Sequence, residues 1–314
     1  METGGPHDVS SLLHTWVRVT RAHFLGTSLF PYATAVAMAA TGVRSVDWGR
    51  VGIGGLALVL IHLGVNLWND FWDERLGADV RSHLPTAWSG GSRPTQRGLI
   101  TPRQALYASI LLVAGGCGTG IYLVVTGGGH AVFWTGVVGV ALGLGYSAPP
   151  ARLAWRGCGE AAVGVAFGPV VMFGAHWLVA GELTAAVLWV ALGAGLMTAL
   201  VLLVNEFPDR AADRRAGKRT AVVRLGSGRA ARLAWALWAL AYASIGVGVW
   251  TEALPVEALL VLLTVPLAVA AAVMLEEWRR EEEPGGLVAG SALQVLLHAA
   301  FILGLGWAVA TAVL

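Results

Sequence analysis

The sequence predicts an all-α membrane protein of nine transmembrane helices with a cytoplasmic N-terminus, and three observations carry that reading. Hydrophobic residues make up 56% of the 314 positions and charged residues only 13%, about half the charged share of a soluble domain. Nine stretches are long and apolar enough to cross about 30 Å of hydrocarbon, which takes roughly 20 helical residues. Basic residues then sort by side. With the N-terminus inside, 19 of the 21 fall in inner segments and only Arg44 and Arg50 fall outside, as the positive-inside rule requires. Adding or removing one span would scramble this partition.

In chain order, residues 1–22 form a cytoplasmic N-terminal segment. Met1 to Ser11 is polar and lacks the basic start and cleavage site of a removable signal peptide, so the first span, 23–42, directs insertion. The others fall at 50–70, 104–126, 129–146, 159–180, 184–205, 229–250, 255–275 and 287–313, which makes 23–314 a single transmembrane domain. Abundant Gly (42) and Trp (14) suit a bundle in which small residues permit close helix approach and indole rings sit at the headgroup level. Cys117 and Cys158 have no metal-ligand or redox spacing and read as packing residues. Two cytoplasmic loops, 74–102 and 207–227, are long and polar, which marks loops of functional interest.

Each of those loops follows a group of carboxylates. The second span ends Asn66-Leu-Trp-Asn69-Asp70-Phe-Trp-Asp73, followed by Gly77 and Asp79, and the sixth ends Asn205-Glu-Phe-Pro-Asp209, followed by Asp213, Gly217 and Lys218. Both have Asn, then Asp four residues on, a second Asp at seven or eight and Gly at eleven or twelve. On an α-helix such positions share a face, so Asn66, Asp70 and Asp73 should project together, as should Asn205, Asp209 and Asp213. His62, one turn before Asn66, extends the first stripe. Carboxylates grouped at a membrane boundary repel one another and are costly to desolvate, so a cation belongs between them. An all-oxygen donor set suits Mg²⁺, which completes its shell with water and substrate phosphate. A diphosphate is the natural partner, and Lys218, the single lysine of the chain, is a compact charge able to reach it. Any one of these Asp residues alone would read as a solvated salt bridge; two matched stripes do not.

These motifs resemble those of the UbiA superfamily of intramembrane prenyltransferases. The first is similar to the Asp-rich motif of its menaquinone branch, the 1,4-dihydroxy-2-naphthoate prenyltransferases, and Asn205 to Arg219 is similar to the second. Gly145-Tyr146-Ser147 and Arg156-Gly-Cys-Gly159-Glu160 resemble that branch's fourth-to-fifth loop. The resemblance implies nine helices around a central cavity, with both motifs facing each other at a cytoplasmic mouth in a bacterial-type inner membrane. It also implies two Mg²⁺ ions held by Asn66, Asp70, Asp73, Asn205, Asp209 and Asp213, with Asp79 and Lys218 as further candidates. The four aspartates would be catalytic. Asn66, Asn205, Lys218, Arg93 and Tyr146 would contact the isoprenyl diphosphate, with Arg93 in a Ser89–Arg97 loop able to wrap an oxyanion.

Metals and basic groups at a leaving diphosphate favour the transition state over the ground state, and aromatic faces near the allylic cation stabilise it. Trp68, Trp72, Tyr146 and Trp155 are the candidates by position. Glu160 reads either as a base at the acceptor end or as a helix N-terminal carboxylate. The leading expectation is prenyl transfer to an aromatic acceptor, 1,4-dihydroxy-2-naphthoate first, giving a menaquinone precursor. The rivals are a membrane terpene cyclase of the same superfamily, which needs no acceptor, and a transporter or channel, whose sites more often lie at the midplane. No nucleic-acid or obligate protein partner is inferred.

Overall fold

In the computed structural model, which describes residues 15–78, 98–281 and 284–312, every regular element among those residues is a helix. In order they are α1 (Gly26–Ala40), α2 (Trp48–Leu76), α3 (Pro102–Leu123), α4 (Gly129–Ser147), α5 (Gly159–Ala180), α6 (Ala185–Glu206), α7 (Arg210–Ala216), α8 (Ala221–Leu225), α9 (Ser227–Trp250), α10 (Val256–Arg280) and α11 (Pro284–Thr311). Local chemistry sets several starts. The Asp47 side chain accepts from Arg50 N at α2, and Thr184 accepts from Val187 N at α6. At α3, Thr101 and Gln104 form a reciprocal capping box with Pro102 in the first turn.

Seven helices among the described residues are long and apolar enough to cross a membrane, one of them the 46-residue run Pro102–Ser147. That run is not one rod. Gly127 (φ 108°) and Gly129 (φ 78°) take conformations open to residues without a Cβ, and the chain reverses there. The partners prove it. Going back from the turn along α3, Thr126 just beyond its end and then Gly116 and Ser109 meet Arg50, Ile61 and Gly64 of α2, so α3 runs antiparallel to α2. Going down α4, Gly143, Leu144 and Ser147 meet Val65, Trp68 and Asn69, so α4 runs parallel to it. The expected first span is shorter than its sequence stretch: α1 has 15 residues and contains Pro31.

The main core gathers around α6, the most enclosed of the long helices, where Met197, Leu200 and Leu203 pack with Ile245 of α9 and Phe301 and Leu305 of α11. On its other side α6 meets α5 almost backbone to backbone. A Cβ on Gly195 would lie 2.5 Å from Gly164 O, and one on Gly168 would lie 2.4 Å from Ala191 O. A short π-helical stretch, Ala166–Val170, contains Pro169 and accommodates its missing N–H at this contact. Outward faces stay apolar, with Leu263 77% and Trp250 83% exposed, as a lipid-facing surface would be.

Alternation of the helices brings the ends that matter to one side. The C-terminal ends of α2, α4 and α6 and the start of α5 converge there, joined by the segment before α1 and by α7. The segment around Asp79, His83 and Trp88, including the Ser89–Arg97 loop with Arg93, lies outside the described residues, and so do residues 1–14.

Candidate active site

The first carboxylate stripe forms at the end of α2. Asp73 is 4% exposed and takes three donors: Trp155 Nε1 to Oδ1 at 3.2 Å, and Asn69 Nδ2 and Lys218 Nζ to Oδ2, each at 3.2 Å. Asp70, 1% exposed, pairs with Arg21, and Asn66 Nδ2 donates to Thr20 O at 2.9 Å. The chain leading into α1 therefore sits over the first motif. Arg21 reaches it from a left-handed backbone (φ 54°).

The second stripe departs from the expected single helix face. Pro208 has no N–H to continue the ladder, α6 stops at Glu206, and after three turn residues α7 begins at Arg210. Asn205, Asp209 and Asp213 still line one chamber, but from the two sides of a break. Both motifs nonetheless end identically. Gly77 N bonds Glu74 O and Ala78 N bonds Asp73 O; Gly217 N bonds Arg214 O and Lys218 N bonds Asp213 O. With Gly77 at φ 79° and Gly217 at φ 84°, these are two Schellman caps. Asp73 and Asp213 occupy equivalent positions three residues from their helix ends, which gives the internal repeat a structural reason.

The two motifs touch through Lys218 and Asp73. The 207–227 segment is also anchored to the α4–α5 connection: Arg219 N donates to Trp155 O at 3.2 Å, Ala221 N to Glu160 Oε1 at 2.8 Å, and Arg224 Nη1 to Arg156 O at 3.0 Å. Burial pushes the Asp213 carboxyl up to about 7; Lys218 pulls against this, while Asp209 and Asp73 add to it. Asp209 and Asp213 are 7% and 5% exposed. Asp213 is short of compensating positive charge.

Beneath them lies a chamber of about 1230 Å³, larger than the roughly 300–1,000 Å³ of sites for drug-sized ligands. Arg18, Arg21, Asn66, Asn69, Asp73, Tyr146, Asn205, Glu206, Asp209, Asp213 and Lys218 line its polar end, and side chains such as Ile61, Val65, Phe133, Val140, Phe167 and Leu178 line the rest. Among the described residues no three carboxylate, histidine or cysteine side chains converge into a ready-made ion cage. Mg²⁺ needs none, because it retains waters and completes its shell with phosphate. The donors are all oxygen, and Asn205 Oδ1 is buried without a hydrogen-bond partner among the described residues. That set fits a magnesium diphosphate.

Of the sequence candidates, Asn66, Asp73, Tyr146, Asn205, Asp209, Asp213 and Lys218 line the chamber, whereas Asp70 stands behind Arg21 and is not part of its wall. Asp79 and Arg93 lie outside the described residues. Aromatic candidates fare differently: only Tyr146 faces the chamber. The Trp68 indole donates to Leu144 O and Trp155 holds Asp73; Phe24, Phe133 and Phe167 supply the ring faces instead. Glu160 serves the fold by holding Ala221 N. Reading the sequence missed Arg21, Asn69 and Glu206; Asn69 and Glu206 stood beside motif residues, while nothing local marked Arg21.

Fold and site together define an intramembrane enzyme whose carboxylate-lined mouth opens onto an apolar chamber. Residues 28–288 match the UbiA prenyltransferase family, and the chain belongs to that family of enzymes. It is 28% identical over 273 residues to the 2-carboxy-1,4-naphthoquinone phytyltransferase of Synechocystis sp., covering 83% of this chain and 84% of that protein. It is 30% identical over 226 residues to the 1,4-dihydroxy-2-naphthoate octaprenyltransferase of Mycobacterium tuberculosis, covering 72% and 75%. In fold it is similar to a UbiA homologue from Archaeoglobus fulgidus bound to GPP and Mg²⁺, with a TM-score of 0.64 at 19% identity over 95% of this chain and 99% of that one.

The raised Asp213 carboxyl makes stability depend on pH. Between its ordinary value of 3.8 and about 7 the folded state binds more protons than the unfolded state, so stability falls as pH rises through that window and levels off above it. Without divalent cations, Asp213→Asn should lack this loss, and its melting-temperature advantage over wild type should grow from pH 4 to 8. The ceiling is on the order of 4 kcal/mol. A constant difference across that range contradicts the assignment.

Proposed function

We propose that the protein ionises an isoprenyl diphosphate at the carboxylate mouth and transfers the prenyl group to an aromatic acceptor, 1,4-dihydroxy-2-naphthoate first. The observation that carries this reading is the Lys218–Asp73 contact, which ties the two motifs together over an apolar chamber. The acceptor rests on the names of the relatives.

Asn66, Asp70, Asp73, Asn205, Asp209 and Asp213 would hold two Mg²⁺ ions, which when bound neutralise the charge that develops on the leaving diphosphate. Arg18, Arg21 and Lys218 line the same end and donate to phosphate oxygens, more strongly as the C1–O bond breaks. Asp70 and Asp73, paired with Arg21 and Lys218 in this structure, would serve as metal ligands, which would leave those two basic side chains for the phosphates. Arg93 and Asp79 are further members of this set. Tyr146, Phe24 and Phe167 present aromatic faces to the allylic cation, each contributing about 0.5–2 kcal/mol, and the apolar wall keeps water from it.

The same reading places nine crossings in the membrane: the seven long helices, with Pro102–Ser147 counted twice because it reverses, and α1. The N-terminus and the mouth face the cytoplasm, in a bacterial-type inner membrane, as the distribution of basic residues supports. In a background with Cys117 and Cys158 replaced by Ser, Arg215→Cys should react with a membrane-impermeant maleimide only from the cytoplasmic side. Labelling from outside in intact cells would overturn the orientation.

For the reaction, purified protein with Mg²⁺, isoprenyl diphosphates of several lengths and 1,4-dihydroxy-2-naphthoate should release diphosphate and form a prenylated naphthalene. Asp73→Asn and Asp209→Asn should each lower turnover by at least about 100-fold, the scale of losing one transition-state electrostatic contact, while remaining folded. Full activity in either variant contradicts the site. Terpene alcohols or hydrocarbons formed equally well without acceptor, and no prenylated naphthalene, would replace transfer by cyclisation.

A further inference from the structure

Transfer to a hydroxylated ring leaves a proton to be removed, and on the reading above the aspartates of the mouth would be occupied by metal, which makes them poor bases. The chamber holds another candidate. On α2, His62 lies one turn below Asn66 and two turns below Asp70, which at 1.5 Å per residue is about 6 Å and about 12 Å deeper along the helix. It is 7% exposed and lines the chamber, with its ring 5.1 Å from that of Phe167.

Its hydrogen-bond partner accommodates the Nδ1–H tautomer. Ser28 Oγ lies 2.7 Å from His62 Nδ1 and 3.0 Å from Leu25 O. With the hydroxyl proton directed to Leu25 O, Oγ accepts from Nδ1–H. This leaves Nε2 with a bare lone pair, and it takes no hydrogen bond from any described residue. The hydroxyls that share the chamber wall are differently disposed. Tyr32 donates to Val51 O at 2.7 Å, Thr27 to Phe24 O at 2.8 Å, Thr135 to Ala131 O at 2.9 Å and Thr198 to Ala194 O at 2.8 Å. Those oxygens keep lone pairs but are far weaker bases than an imidazole nitrogen, so among the side chains named here His62 Nε2 is the basic acceptor.

We propose that His62 Nε2 is the general base that accepts the hydroxyl proton of the aromatic acceptor. The inference rests on the transfer reading above and adds a residue to it. As the C1–O bond breaks, its electron pair leaves with the diphosphate. The ring carbon next to the hydroxyl forms the new bond to C1 while the O–H electron pair becomes the C=O of a dienone, and the proton passes to Nε2. The dienone regains its aromatic ring when the attacked carbon gives up its own substituent, a proton or carbon dioxide. The imidazolium returns its proton to water when the chamber opens.

The test compares two acceptors, one with its hydroxyl protonated at the assay pH and a nitro-substituted naphthol already ionised there. His62→Asn keeps an N–H for Ser28 and removes the base. It should lower kcat with the protonated acceptor by about 100-fold, within the usual range for general-base catalysis. With the ionised acceptor it should match wild type, and the KM for the isoprenyl diphosphate should not change. Ser28→Ala, which releases Nδ1, should show a smaller loss of the same selectivity and keeps the question answerable if His62→Asn folds poorly. Equal losses with both acceptors, or no loss with either, would overturn the role of His62 while leaving transfer intact. Failure of the wild-type enzyme to prenylate either acceptor would overturn transfer itself and His62 with it.

Discussion

Four aspartates that would repel one another, with Glu160 and Glu206 close by, are buried at one end of an apolar bundle, and most of the site can be read as an answer to that. Removing an ionised carboxylate from water costs several kcal/mol unless a partner compensates it. Arg21 covers Asp70 and Lys218 covers Asp73, leaving Asp213 with too little positive charge nearby. The resting protein thus holds an acidic centre with two basic side chains folded onto it. On the proposed function a divalent cation would supply the missing charge, and its diphosphate would offer those side chains anionic partners.

The fold serves that centre through its helix ends. Equivalent Schellman caps at Gly77 and Gly217 place Asp73 and Asp213, and the interruption at Pro208 lets the second motif bend over the mouth. Trp155 and Glu160 then hold the 207–227 segment and Asp73 in one network. Below this polar layer the wall is mainly apolar, so a single chamber combines an ionic mouth with an interior suited to hydrocarbon. An amphipathic substrate with a charged head and a hydrocarbon tail needs both.

Much of this was legible in the sequence, for physical reasons. Apolar stretches of spanning length must become helices, since every backbone group in hydrocarbon needs an internal partner, and the reversal at Gly127–Gly129 was visible as a gap between two expected spans. The carboxylate repeat was legible because spacing along a helix is spacing in space. Less visible were contacts made across the fold. Nothing near Arg21 announces that it pairs with Asp70, 49 residues away, and the indoles of Trp68 and Trp155 look like cation-facing surfaces until their N–H partners are known. Pro208 foreshadows the break in the second stripe, but the similar Asn–Asp–Asp spacing of the two motifs suggests an unbroken helix.

The central claim is that the acidic centre and the basic side chains are completed by metal and diphosphate as a unit. Thermal melting of the detergent-solubilised protein tests it directly, with Mg²⁺ alone, a non-ionisable isoprenyl diphosphate analogue alone in the presence of a chelator, and both together. Ligands that bind only the folded state raise the melting temperature according to their affinity. The account predicts that the shift with both exceeds the sum of the separate shifts, and that Asp73→Asn and Asp209→Asn abolish the excess. An analogue that stabilises the protein equally well with and without Mg²⁺ would contradict it.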